Sequence, residues 1–226
     1  MPMKGSGTAT SWEVTNRWDR GASWLAYPHE EMQRASHVLQ TEAGVFVVDP
    51  VDADGIDDLF AEYGEVAGTV LLLDRHKRDT DAVANRHDVP VYVPEWMSGV
   101  ESDLDAPVEQ VHRQLPGTDY GVHKLHNNPF WKEAALYGDE DDTLVVPESV
   151  GAAPFFLTGD ERLGVHPMLR LFPPTKLTRL EPERILVGHG HGIMDDATEA
   201  LTYAIRGSRG RTPSLYAETV RSLVFG

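Results

Sequence analysis

The sequence predicts a single α+β domain in which mixed sheets are flanked by helices. Residues 12–27 mix aromatics with polar residues and read as one or two short antiparallel strands. A hairpin of residues 36–40 and 45–48 follows, around Glu42-Ala43-Gly44. Residues 45–93 then alternate strand and helix, which implies a parallel crossover region. The second half repeats that style with short strands and two closing helices. A chain of 226 residues with 41% hydrophobic and 25% charged residues suffices for one such core.

Each element has a local cause. The strand at residues 45–48 stops at Asp49-Pro50, because proline removes a ladder donor. Asp54 is placed to cap a helix running to Tyr63, with Ile56, Leu59 and Phe60 on one face and Gly64 at its end. The continuous apolar run Val70-Leu71-Leu72-Leu73 predicts a buried strand. A helix over residues 79–86 and a strand at 91–93 follow. Candidate strands then fall at 108–114, 121–125, 133–137 and 143–146, the last two separated by the acidic turn Gly138-Asp139-Glu140-Asp141-Asp142. A buried strand at 185–187 runs into Gly188-His189-Gly190-His191-Gly192, and helices are expected at 195–205 and 214–223. No internal repeat or linker divides the chain, so residues 1–226 read as one domain.

Composition excludes several function classes. The absence of cysteine removes disulfides, thiolate zinc sites, iron–sulfur clusters and thiol nucleophiles. A formal charge of −16, from 36 acidic against 20 basic residues, argues against nucleic acid as a partner. Five lysines stand against fifteen arginines and nineteen aspartates, a texture like that of proteins from salt-loving organisms. The longest apolar runs fall far short of the ~20 residues of a membrane span. Residues 1–10 lack an apolar signal core, so a cytoplasmic location is expected.

Strand ends are where such folds place reactive groups, because loops converge there while the sheet holds them rigid. Three ends stand out: Asp49 after VFVVD, residues 74–80 after VLLL, and His189 after ILV. The run SHVLQTEAGVFVVDP, then VLLLDRHKRDT, then ILVGHG near the end, resembles the metallo-β-lactamase superfamily from about Ser36 to Ala204. That resemblance implies a four-layer αββα sandwich with one or two metal ions between its sheets, and glyoxalase-II-like hydrolases among the relatives.

The departures are as informative as the match. The family motif His-x-His-x-Asp-His, laid on this chain through its aspartate, gives Arg75-His76-Lys77-Arg78-Asp79-Thr80. Arginine offers a metal no lone pair, and lysine does so only when deprotonated. The family's next histidine should fall near residues 127–130, where none stands, although His123 and His126 lie just upstream. The first metal site is therefore expected to be lost. Asp79, Glu148 and His189 map onto three ligand positions of the second site, with Thr80 in place of the fourth.

Two readings follow. In the first, the dinuclear motif is largely lost and the protein is a non-catalytic member that binds a small anionic ligand. Lys77 and Arg75 then supply the missing positive charge, Asp49 orients the loops, and His191 stands beside the ligand. In the second, Asp79, Glu148 and His189 hold one iron, manganese or zinc ion for hydrolysis of an ester or thioester, with Asp79 and Lys77 as catalytic groups. The readings separate on whether Lys77 and Arg75 point into the site. A small molecule is the expected partner, with neither nucleic acid nor membrane, and oligomeric state is left open. His76 reads as a surface histidine one place out of register; His29, His112 and His166 read as structural. A P-loop and a Gly-x-Ser-x-Gly serine hydrolase are both excluded by the absence of their motifs.

Overall fold

The computed structural model of the chain describes residues 2–7 and 9–225, with side chains described as far as Tyr216. Among these residues the first sheet has seven strands in chain order: β1 (Glu13–Trp18), β2 (Gly21–Leu25), β3 (Ala35–Thr41), β4 (Gly44–Val48), β5 (Val66–Val70), β6 (Val91–Pro94) and β7 (Val108–Val111). Strands β1 to β4 pair antiparallel, and β4 to β7 pair parallel through crossovers carrying helices α1 (Asp57–Ala61) and α2 (Thr80–His87). The second sheet is built from β8 (Tyr120–Asn128), β9 (Trp131–Gly138) and β10 (Thr143–Val146). After a two-stranded ribbon of β11 (Val150–Gly151) and β12 (Gly164–Val165), strand β13 (Arg184–Val187) joins it in the order β13-β10-β9-β8. Helix α3 (Ala197–Phe225) closes the described chain. No helix among the described residues is long and apolar enough to cross a membrane.

The period-2 alternation of the strands sorts their side chains into three buried clusters. Phe46, Val48 and Val70 of the first sheet meet Ala134, Leu136, Val145 and Leu186 of the second in one shared core. On the other face of β4, Val45 and Val47 pack with Trp24 against Ile56, Leu59 and Phe60 around α1 and Val83 of α2. On the other face of the second sheet, Leu144, Val146, Ile185 and Val187 pack against Ala197, Leu201, Ala204 and Ile205 of α3. The two sheets thus share one core, and each contributes strand residues to a further cluster with helical residues.

Three elements differ from expectation. The apolar run at 70–73 is buried as expected, but strand β5 lies earlier, at Val66–Val70. Beyond it Leu71 N–H still donates to Tyr92 O, while Leu72 O accepts from Ala134 N–H and Leu73 bridges to Glu133. The run therefore leaves the first sheet and stitches onto β9 of the second. Helix α1 is shorter than residues 54–63, since Asp54 N–H is taken by Ala9 O. The two expected closing helices are one, which passes through Pro213. Proline at that point frees the carbonyl of Arg209, an exposed residue whose carbonyl water can satisfy.

Candidate metal centre

The stitch between the sheets delivers the loop after β5 to the rim where the sheets meet. There, among the described residues, His76, Glu148 and His189 form a group with one ligand atom each, all within 4.8 Å of one another, and all three residues are buried. They are only 8%, 8% and 1% exposed, so the site lies inside the protein rather than on it.

His189 is held by glycines and by a carbonyl. A Cβ at Gly188 would stand 2.2 Å from Pro147 O, and one at Gly190, where φ is +91°, would stand 2.3 Å from Ala153 N. Only glycine on both sides lets the turn press against Pro147 after β10 and Ala153 after β11. His189 Nδ1 lies 2.8 Å from Met32 O. A carbonyl only accepts, so Nδ1 carries the ring proton and Nε2 presents a bare lone pair. That lone pair faces His76 Nε2 at 3.3 Å.

His76 is turned inward by two neighbours in the left-handed backbone region, Asp49 (φ +44°) and Arg78 (φ +46°). Left-handed backbone at a non-glycine residue costs energy and persists where its surroundings hold it. Asp49 Oδ1 accepts from Leu72 N–H at 3.0 Å, and Oδ2 stands 3.4 Å from His76 Nδ1. The Arg78 guanidinium donates to Ala35 O at 2.5 Å, Asp49 O at 2.8 Å and Gly188 O at 3.0 Å, tying together the loops that carry Asp49 and His189.

Glu148 follows β10 on a backbone fixed by a buried carboxylate. Glu133 accepts from Glu148 N–H at 2.9 Å, Ser149 N–H at 2.7 Å, Ser149 Oγ at 2.5 Å and Trp131 Nε1 at 2.7 Å. Burial nevertheless pushes the Glu133 carboxyl up to about 7. Glu148 Oε2 accepts from Arg75 Nε at 2.9 Å, and the Arg75 guanidinium lies over the Trp131 ring at 4.0 Å. His166 Nε2 is 3.6 Å from Glu148 Oε1. Burial raises the Glu148 carboxyl in spite of Arg75.

Burial, reinforced by the surrounding arginines, holds His76 well below the usual imidazole range, and burial with the neighbouring His76 does the same for His189. Both rings are neutral at pH 7, so the His76–Asp49 contact is no ion pair. Burial lifts the Asp49 carboxyl to about 6, against the pull of Arg78. Neutral imidazole is the state in which histidine ligates a metal, and of the two rings His189 has its tautomer fixed, by Met32 O.

The structure divides the residues expected from sequence. Glu148 and His189 come together. Asp79 does not join them: its Oδ2 accepts from Asp52 N–H at 2.9 Å at the start of α2. Lys77 points outward and pairs with Asp103, whereas Arg75 points in and pairs with Glu148. Asp49 sits beneath the site against His76, and His191 is exposed. The surface reading of His76 is corrected, since it is buried at the centre, and His166 stands beside Glu148 and packs on Trp131. His126 stacks on Trp131, with a buried Nε2 that has no partner among the described residues. His123 packs edge-on to Tyr137.

Two sheets sharing one core, with a histidine and carboxylate cluster at their rim, define the metallo-β-lactamase fold. The chain has this fold, as its likeness to solved structures shows. A metallo-β-lactamase from Pontibacter korlensis matches with a TM-score of 0.63 over 87% of this chain and 99% of that one, at 13% identity. The apo state of the chemotaxis sensor ODP from T. denticola matches at 0.55 over 86% and 94%, with 12% identity. Rubredoxin oxygen:oxidoreductase from Desulfovibrio gigas matches at 0.59 over 80% of this chain and 53% of that one, also at 12% identity. No family model matches the sequence, and no curated protein matches it either.

Proposed function

We propose that the protein holds one divalent metal ion on His76, Glu148 and His189 and uses it to bind a small ligand, without hydrolysing a bulky substrate. The observation that carries this reading is the pair of Nε2 atoms facing each other at 3.3 Å, one of them a lone pair fixed by the Met32 carbonyl. With a cation between them, His76 places its proton on Nδ1 towards Asp49 and both lone pairs converge. Two imidazoles and a carboxylate suit zinc, iron(II) or manganese and leave coordination positions free for a ligand. When bound, such an ion supplies Lewis-acid polarisation of the ligand's donor atom.

Access favours a small ligand. The rings of Phe155 and Phe156 stand 5.7 and 5.8 Å from the His189 ring, and Arg75 takes up one oxygen of Glu148. Chemistry at the site is limited in the same way, because Asp79, the expected catalytic carboxylate, is bound to the Asp52 amide instead. The likeness to a chemotaxis sensor as well as to a β-lactamase agrees with a fold that serves binding as readily as hydrolysis.

Elemental analysis of protein purified without chelator tests the reading. The expected result is about one equivalent of zinc, iron or manganese, lost in His76→Ala and His189→Ala. Metal near zero after incubation with each ion overturns it. Turnover of a bulky ester or thioester, abolished by His189→Ala, overturns the other half of the reading.

A further inference from the structure

A cavity of about 370 Å3, with Arg78 in its lining, opens beside the candidate metal centre. Its lining includes Lys4, Arg34 and Arg78 with the hydroxyl-bearing Ser6 and Tyr27, and Asp79 is its one carboxylate. In a chain with 36 acidic and 20 basic residues, three cations to one carboxylate is a reversal of the prevailing charge.

The cations differ in how they are compensated. Arg34 is paired with Glu30, through Nε at 2.8 Å and Nη2 at 2.7 Å, and also donates to Gly5 O. Arg78 is held by carbonyl oxygens, which fix its position without cancelling its charge, and its Nε is a buried donor with no acceptor among the described residues. Neither Arg78 nor Lys4 has a carboxylate within ion-pair distance among the described residues. Asp79 turns its Oδ2 to the Asp52 amide, which blunts its opposition to a bound anion. Asp49 acts on the half-buried Arg78 guanidinium only from beyond ion-pair distance, and an anion in the cavity would meet that charge directly.

The segment that precedes Lys4 is bonded to backbone that leads to the candidate metal centre. Met3 O accepts from Met32 N–H, and Met32 O accepts from His189 Nδ1. The cavity is large enough for an oxyanion group with a small organic body.

We infer that this cleft binds the oxyanion group, carboxylate or phosphate, of a small molecule, with Arg78 and Lys4, which form no ion pair among the described residues, as its cations. The inference stands apart from the metal, and it is tested on protein stripped of metal by chelator. Inorganic phosphate and acetate are titrated calorimetrically into wild type, Lys4→Glu and the distant Lys124→Glu. Lys4 is exposed, so its substitution leaves the fold intact, and circular dichroism checks this. Saturable binding of either anion, weakened roughly tenfold or more in Lys4→Glu and unchanged in Lys124→Glu, is the expected result. Binding of phosphate alone, or of acetate alone, assigns the group. No saturable binding of either anion, or equal binding in wild type and Lys4→Glu, overturns the inference.

Discussion

His76 Nε2 and His189 Nε2 meet at 3.3 Å, although they stand 113 residues apart and follow strands of different sheets. The contact exists because the run after β5 crosses to β9 and because glycines let the turn after β13 press inward. Both rings are oriented through their Nδ1 atoms, His189 by Met32 O and His76 by Asp49. The centre therefore depends on neighbours as much as on its own donors.

Asp49→Asn removes the carboxylate that orients His76. Metal affinity in a calorimetric titration is expected to fall roughly 10- to 100-fold, the usual cost of losing such a partner. An unchanged affinity removes Asp49 from the account.

Arg75→Gln acts in the opposite direction. It frees Glu148 Oε2 and takes a positive charge away from the ion, so affinity rises roughly fivefold or more. The Arg75 side chain is 39% exposed, and its loss should cost stability no more than about 1 kcal/mol in a urea titration.

Arg170→Met tests the loop that carries Phe155 and Phe156. Arg170 is fully buried, pairs with Glu161 at 2.6 Å and donates to Phe156 O at 2.5 Å, while Arg211 bonds the same carboxylate at 2.7 Å. Breaking a buried pair from one side costs about 3–5 kcal/mol. The melting temperature should fall by roughly 10 °C in a chain of this size, whereas substitution of the exposed Arg209 should leave it nearly unchanged.

His37 gives a pH dependence of defined sign. Its ring is buried against Ser23 Oγ at 2.8 Å, and burial lowers it from 6.5 to about 3. As pH falls below about 6.5 the unfolded chain takes up a proton that the folded chain refuses until about pH 3, so stability is lost across that window. The slope is about 1.4 kcal/mol per pH unit for one proton. Wild type should therefore lose stability relative to His37→Gln between pH 6.5 and 4.5 by about 2–3 kcal/mol. Parallel stability curves for the two proteins contradict this.

The fold was legible because its signals are local. The apolar run at residues 45–48, the proline at Pro50 and the apolar strand at 185–187 each specify an element without reference to the rest of the chain. Glu148 and His189 were legible for the same reason, as groups at predicted strand ends. His76 was not. Its inward direction comes from the left-handed backbone at Arg78 and from bonds joining Arg78 to Ala35, Asp49 and Gly188, contacts that no local pattern encodes. The same loop carries Asp79 and Lys77 away from the site that a straight alignment gives them. The expected gap between helices at 195–205 and 214–223 is absent, since one helix runs on through residues 206–213, with Pro213 at an exposed position.

The most direct measurement is anomalous diffraction at the zinc, iron and manganese edges from crystals grown with each ion. One peak within about 2.0–2.2 Å of Nε2 of His76, Nε2 of His189 and a carboxylate oxygen of Glu148 is the predicted result. A peak elsewhere, or none with the Arg75–Glu148 pair intact in every crystal, contradicts the account.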